Sequence, residues 1–168
     1  MDITVDILGE RQLNRRLGVI IERSANIFGG AKGVGVKVQK DWIKNNRAQF
    51  RTKGVHGSGE RWARLSTSYR KWKARHYPGK PIMRRTDRLW HSLTQPGHPD
   101  FVYRTSLQQM VIGTNVPYAI YHQSQEPRTS ELPRRPVVEL REDQKLLWSE
   151  FIRKHIFSSG IDFERITL

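Results

Sequence analysis

The chain has 168 residues, no cysteine and a formal net charge of +14, with 30 Lys and Arg against 16 Asp and Glu. This length predicts one domain spanning residues 1–168, and the lack of cysteine excludes disulfides, thiolate metal ligands and a cysteine nucleophile. No apolar run approaches the ~20 residues that span a bilayer, and the acidic N-terminus lacks a signal-peptide pattern, so we expect cytoplasmic synthesis and no membrane partner.

The N-terminal region is predicted to contain a strand followed by a helix. Ile3, Val5 and Ile7 alternate with polar residues, which indicates a short strand within an N-terminal arm at residues 1–8. Apolar residues then recur with helical spacing over residues 10–28.

A glycine-rich stretch comes next. Gly30 and Gly35 have the spacing of a Walker phosphate loop, but Val36 and Lys37 replace its Lys-Ser/Thr pair and the stretch follows a helix. We therefore predict a flexible turn. Residues 39–53 are predicted to form a second helix with a weak apolar face, and residues 53–60 are predicted to form a flexible, glycine-rich loop.

The middle of the chain is densely basic. Between Arg47 and Arg88 there are 13 Lys or Arg and 2 Asp or Glu, a net charge of 13 − 2 = +11, whereas residues 89–168 carry nine of each sign. Aromatic residues alternate with these cations, a composition that suits stacking on bases and neutralisation of phosphates. Helical spacing favours a core position for the aromatic residues, with the cations on the solvated face. The aromatic residues concerned are Trp62, Tyr69, Trp72 and Trp90.

Two helices are predicted within this basic segment. Ser66 is the expected N-cap of the first, which runs from Thr67 to about Tyr77 and ends at the break over residues 78–81. The second begins at Arg85 or Thr86 and ends before residues 96–99.

The C-terminal half is predicted to contain the only sheet. Alternating apolar residues indicate a β-hairpin at about residues 100–114, and a short helix follows Pro117. A proline-rich loop is expected at residues 123–136, then a short strand or helix lead-in at residues 137–140. The last helix should run from about Glu139 to Phe157, and a tail occupies residues 159–168. The apolar face of that helix is predicted to comprise Leu146, Leu147, Phe151 and Ile152.

Together these elements predict an α+β fold. A small antiparallel sheet would be packed by helices, with long N- and C-terminal helices and extended loops.

No catalytic, metal or cofactor site is expected. The six histidines form no zinc-binding motif, and Gly57-Ser58-Gly59 lies in a predicted mobile loop rather than a strand-to-helix elbow. A nuclease needs converging carboxylates for its metal ions, but Glu60 and Asp87 are the only acids of the basic segment. We therefore do not expect an enzyme.

Four separated motifs, taken together, resemble the phage virion morphogenesis family, the tail-completion proteins of Mu-like and related tailed phages. The first is Trp62 to Ser66 with Tyr69 and Lys73, and the second is Ile82 to Leu89 with Ser92 and Leu93. The third is Val111 to Ala119 with His122 and Gln123, and the fourth is Leu132 to Pro136. The resemblance covers roughly residues 60–140. This chain departs from it at Asp87, where the family usually has Gly, and at Ser124-Gln125, near which the family has another Gly.

The resemblance implies a structural subunit of the head–tail junction (the neck or tail-completion ring) in the virion. Its partners would be copies of itself, most often six in a ring, neighbouring connector, tail terminator or tail tube proteins, and double-stranded DNA in the channel. Candidate contacts to DNA or to an acidic partner are Arg47, Arg51, Lys53, Arg70, Lys71, Lys73, Arg75, Arg84, Arg85 and Arg88. Candidate subunit-interface residues are Tyr118, His122, Gln123, Arg134 and Arg135.

Two alternatives remain open from the sequence. The chain could be a free nucleic-acid-binding protein without sequence preference, although no helix-turn-helix, zinc-finger or RNA-recognition pattern supports that function. The basic segment could also face an acidic neighbouring protein instead of DNA.

Overall fold

The computed structural model describes residues 10–30, 33–124 and 132–157. The predicted N-terminal strand, the middle of the proline-rich loop and the C-terminal tail lie outside these ranges.

The described residues form seven helices and a two-stranded antiparallel sheet, which confirms the predicted α+β class. The elements are α1 (Glu10–Ala25), α2 (Val34–Thr52), α3 (Val55–Ser58), α4 (Thr67–His76), α5 (Arg88–Thr94), β1 (Phe101–Thr105), β2 (Met110–Thr114), α6 (Ala119–Gln123) and α7 (Glu142–Phe157). None of these helices is long and apolar enough to cross a bilayer.

Helix α2 is the longest element and supplies much of the core. It begins at Val34, so the second half of the predicted flexible turn is in fact helical. The prediction failed because it was based on the polar stretch that begins at residue 39. The buried apolar face of α2 begins earlier, at Val34 and Val38, which are both 1% exposed. Gly35 allows close packing, since a Cβ there would lie 2.8 Å from the hydroxyl oxygen of Tyr103 in β1.

The core lies between α2, α5 and the segments that flank the sheet. Phe50 of α2 and Trp62 meet edge to face, with ring centroids 5.4 Å apart and planes at 83°. The Trp62 indole also donates a hydrogen bond to the Pro136 carbonyl at 2.8 Å. From α5, Leu89 and Leu93 are 2% and 0% exposed.

The stretch predicted as a flexible loop, residues 53–60, has regular structure in its middle. It contains the one-turn helix α3, which follows the left-handed residues Lys53 and Gly54, with φ values of 57° and 103°. The Gln49 side chain accepts a hydrogen bond from the Gly57 backbone N–H at 2.7 Å. Burial of Gly54 beneath the Trp62 indole further anchors the segment, so these glycines serve tight turns rather than an open loop.

The hairpin has the predicted boundaries. Its register pairs Phe101 with Thr114 and Thr105 with Met110, and the Ser106 N–H donates to the Gln109 carbonyl at 2.8 Å across the loop. A hydrogen bond of 2.7 Å between the Ser92 and Thr114 hydroxyls ties α5 to β2.

The outer helices α1 and α7 pack differently from their sequence patterns. Helix α7 begins at Glu142, and Leu146 and Leu147 of its predicted apolar face are 70% and 40% exposed. Instead α7 docks on α2 through polar groups: Gln144 is buried, and the Trp148 indole donates to Asp41 Oδ2 at 2.8 Å. Part of the apolar face of α1 is also exposed, comprising Leu13, Leu17 and Ile21.

Candidate functional site: a basic cleft beside α4

A cleft of about 1190 Å³ opens beside α4, and we call it the basic cleft. One wall is formed by α4 and the residues before it, namely Arg64, Leu65, Ser66, Tyr69 and Lys73. The second wall is the continuous stretch Met83–Leu89. The third wall comprises Tyr118, His122, Leu132, Pro133 and Arg135.

The start of α4 fixes the first wall. Ser66 is the N-cap, as predicted, and its hydroxyl accepts a hydrogen bond from the Tyr69 N–H at 3.4 Å. The helix carries four Lys or Arg and no acid among its ten residues. Because no acid lies within the helix, its cations can be neutralised only by other parts of the chain or by a partner.

Asp87 organises the second wall. It is 8% exposed and adopts a left-handed conformation with φ 62° at the N-cap of α5. Its carboxylate accepts hydrogen bonds from Arg84 Nε at 2.7 Å and Lys80 Nζ at 2.5 Å. The hydrogen bond from Arg84 is the main reason that the pKa of Asp87 falls to about 2, against the opposing effect of burial. Arg84 also lies over the Trp90 ring, 4.2 Å from its centroid.

Arg88 is likewise engaged within the chain. Its Nε and Nη2 donate to the two carboxylate oxygens of Asp100 at 2.6 and 2.9 Å, a bidentate pair that ties α5 to the start of the hairpin. The hydrogen bond from Arg88 lowers the pKa of Asp100. Arg84 and Arg88 therefore hold the second wall together.

Lys73 and Arg135 are buried cations with neutral partners. Lys73 is 4% exposed, and its Nζ donates to the Pro81 carbonyl at 2.5 Å. Arg135 is 3% exposed and donates to the carbonyls of Ala63 and Arg64 at 2.8 and 3.0 Å. Burial lowers the pKa of both side chains, because it disfavours their charged forms. The backbone carbonyls accept hydrogen bonds from these side chains but carry no negative charge to offset this effect.

The remaining candidate contact residues lie nearer to solvent. Arg47 Nη2 donates to the Thr94 carbonyl at 3.2 Å, and the Arg85 guanidinium lies 5.9 Å from the centre of the Tyr77 ring. Five others are exposed and form no ion pair within residues 10–30, 33–124 and 132–157. These five are Arg51, Lys53, Arg70, Lys71 and Arg75.

An exposed row of aromatic rings runs along α4. Trp72 lies between Tyr69 and His76, with ring centroids at 5.4 and 4.7 Å and planes within 22° and 25° of parallel. Tyr69 and Trp72 are 37% and 40% exposed, so their predicted core positions are wrong. The helical spacing that suggested burial instead stacks these rings on one another along the helix. Trp62 is in the core as predicted, and Trp90 is half-buried against it.

The candidate interface residues of the third wall differ in accessibility. Tyr118 is 39% exposed, whereas His122 is half-buried with a lowered pKa, chiefly because of burial and then because of nearby Arg135. The Nδ1 atom of His122 is buried and has no hydrogen-bond partner in the described part of the chain. His122 also lines the basic cleft, although this nitrogen itself is enclosed by the chain.

Gln123 and Arg134 mainly support the third wall. The Gln123 side chain donates to the Val138 carbonyl at 2.6 Å and accepts from the Val137 and Val138 N–H groups at 3.1 Å. These bonds hold residues 137–140 as an extended lead-in to α7, with no strand there. Arg134 is exposed, donates to the Gln123 carbonyl at 3.4 Å and lies 3.9 Å from Glu139.

Sequence reasoning missed two polar clusters. One sequence feature points to the Asp87 cluster: Asp87 is a single acid among closely spaced arginines. The second cluster joins α3 to α7, and no sequence feature pointed to it. Arg141 contacts His56 Nε2 at 2.5 Å and forms a bidentate ion pair with Asp143 at 2.8 and 2.6 Å. Across the described ranges no group of three or more His, Cys, Asp or Glu side chains is placed to hold a metal ion.

Comparison with known proteins gives no match for this chain among family models, curated proteins or solved structures. The resemblance to tail-completion proteins stays a prediction carried by the motifs.

Proposed function

We propose that this protein is a structural subunit of the head–tail junction of a tailed phage. In this role it joins copies of itself into a ring, with six subunits expected, around the channel through which DNA passes. One observation carries the proposal: residues from the four motif segments, which are spread over about 70 positions of the chain, line one cleft.

The conformation of Asp87 supports the same proposal. The family to which the motifs point usually has Gly at this position, and a φ of 62° is one that Gly adopts without steric cost. At position 87 this chain therefore departs from the family pattern, but its backbone keeps a conformation that suits Gly. In this chain an Asp occupies the position and is stabilised there by Lys80 and Arg84.

The chemistry of the cleft suits docking better than catalysis. Its buried cations are held by backbone carbonyls, and the one acid among its described lining residues is committed to an ion-paired cluster. A ring requires a heterologous contact, in which one surface of each subunit receives a different surface of the next. The basic cleft provides a receiving surface of the required kind, with apolar and cationic side chains together.

The exposed cations of α4 are the best candidates for contact with DNA in the channel. Arg70, Lys71 and Arg75 lie outside the ion pairs that engage Arg84 and Arg88, so they keep their charge available to phosphates. Such contacts would be to the DNA backbone and would carry no sequence preference. Above and below the ring, the partners would be connector, tail terminator or tail tube proteins of the virion.

Particle fractionation tests this function. Virions purified from cells that produce the protein should contain it in a fixed ratio to the connector, and removing the protein should yield heads and tails that do not join. Absence of the protein from purified virions would refute the proposal.

A second candidate function is free, non-sequence-specific nucleic-acid binding. The observation that favours it is the exposed aromatic row of α4, which is flanked by exposed cations that form no ion pair with another described residue. The two functions are distinguished by measuring binding of the purified monomer to DNA at physiological salt. Tight binding by a monomer that is absent from virions would support this second function.

A further inference from the structure

The basic cleft carries positive charge that the described residues do not neutralise. Asp87 is the one acid among its described lining residues, and its carboxylate is shared between Lys80 and Arg84. Within the described residues, the buried Lys73 and Arg135 have backbone carbonyls as their hydrogen-bond partners. An anionic partner that enters the cleft would therefore meet cations already stripped of much of their water.

The cleft also offers apolar surface and room for a stretch of polypeptide. Its volume of about 1190 Å³ exceeds the roughly 300–1,000 Å³ that is usual for small-molecule sites. Leu65, Met83 and Leu132 contribute apolar lining, and Leu132 is 44% exposed. A segment that alternates acidic and apolar side chains would match both properties.

His122 adds a hydrogen-bonding group without a partner. Its buried Nδ1 is unpaired in the described structure, and leaving a buried polar atom unpaired is unfavourable. The His122 ring lines the cleft, so a segment that enters the cleft would pack against this ring.

The N-terminal residues of this chain have the matching chemistry. Residues 1–9 include Asp2 and Asp6, contain no Lys or Arg, and place Ile3, Val5 and Ile7 at alternating positions. We propose that the basic cleft binds residues 2–8 of a second copy of this chain, so that each subunit donates its acidic segment to the next. Residues 158–168 are a poorer match, because Arg165 offsets part of the charge of Asp162 and Glu164.

This inference rests on the proposed ring function and specifies how neighbouring subunits join. A segment donated to a cleft on the next subunit is a heterologous contact, which generates a ring when the rotation closes. Exchange of identical segments is a low-cost route to such assemblies.

A peptide-binding experiment tests the contact directly. The probe is a synthetic peptide of residues 1–9 with a fluorescent label at its C-terminal end, and binding is followed by fluorescence anisotropy. The receptor is the full chain with Asp2→Lys and Asp6→Lys, so that its own segment does not compete. Adding Arg64→Glu and Arg85→Glu in the cleft should weaken peptide binding about tenfold or more.

A matched control keeps the change in net charge the same. Lys40→Glu and Lys44→Glu reverse two exposed charges on α2, away from the residues that line the cleft, and should leave peptide binding within about twofold. A peptide of residues 159–168 should bind more weakly than the N-terminal peptide. Equal binding by the cleft variant and the control, or tighter binding of the C-terminal peptide, would overturn the proposal.

Charge exchange in the full chain tests the role of the contact in assembly. By light scattering, Asp2→Lys with Asp6→Lys should dissociate the oligomer, and so should Arg64→Glu with Arg85→Glu. Combining all four substitutions should restore the oligomer, a result that misfolding cannot produce.

The possible outcomes separate this inference from the proposed function. If the oligomer persists in both double variants and the peptide does not bind, the segment contact is wrong while the ring remains possible. If the native chain stays monomeric and only the Asp2→Lys, Asp6→Lys variant binds the peptide, each segment occupies its own cleft. That result would overturn exchange between copies and count against the ring.

Discussion

Asp87→Asn is the substitution that most directly tests how the basic cleft is held together. The change keeps the size of the side chain, and Asn tolerates the left-handed backbone at φ 62°. It removes the negative charge that the Lys80 and Arg84 ion pairs require. Since the Asp87 side chain is only 10% exposed, solvent screens these pairs weakly at the carboxylate.

The magnitude follows from the pKa of Asp87. A decrease from 3.8 to about 2 corresponds to about 2 kcal/mol of stabilisation of the folded state at neutral pH. For a domain of this size, that loss predicts a decrease in Tm of about 4–8 °C.

The pH dependence has a definite sign. Because the folded-state pKa lies below the unfolded-state value, the stabilisation is complete above pH 3.8 and is lost as the pH falls towards 2. Urea unfolding of the native chain and of Asp87→Asn should therefore differ at pH 7 and converge near pH 2. Asp143→Asn, at a carboxylate with 67% side-chain exposure, is the control and should change stability much less. Equal stability of Asp87→Asn and the native chain at pH 7 would refute this account of the wall.

Three further predictions concern the core, α3 and α4. Trp62→Ala should lower the free energy of unfolding by about 3–5 kcal/mol in urea titrations, whereas Trp72→Ala, at an exposed site, should lower it by less than about 1 kcal/mol. Burial lowers the pKa of His56, so the free energy of unfolding should fall as the pH drops below 6.5. His56→Gln should reduce this pH dependence, and an unchanged profile would contradict the attribution of the pH dependence to His56. Glutamine substitution of three exposed α4 cations should lower the slope of log K against log salt for duplex DNA by up to about 2.7 and leave assembly intact, whereas loss of assembly would place them at a protein interface. The cations concerned are Arg70, Lys71 and Arg75.

Local patterns predicted the local structure of this chain well. The Ser66 cap, the break after α4, the hairpin at Phe101–Thr105 and Met110–Thr114, and the short helix after Pro117 all depend on nearby residues and formed as expected. The start of α2 was missed because the glycines at and before it resembled a loop, whereas Gly35 lies inside the helix and allows close packing against Tyr103.

Burial was harder to predict because it depends on which elements meet. Leu146 of α7 and Trp72 of α4 have helical spacing, but they are 70% and 40% exposed, whereas Gln144 is buried and contacts α2 through a polar hydrogen bond. The pairing of Arg88 with Asp100 also joins residues from separate elements, so composition alone could not show that this cation is engaged. The sequence could therefore predict where the basic residues cluster, but not which of them keep a free charge.

Electron microscopy of the neck of purified virions tests the central claim most directly. We predict a ring, with six copies expected, in which each basic cleft lies against the neighbouring subunit and the cations of α4 face the channel. A neck that lacks this chain, or that holds it as isolated copies with the basic cleft open to solvent, would contradict the proposed function.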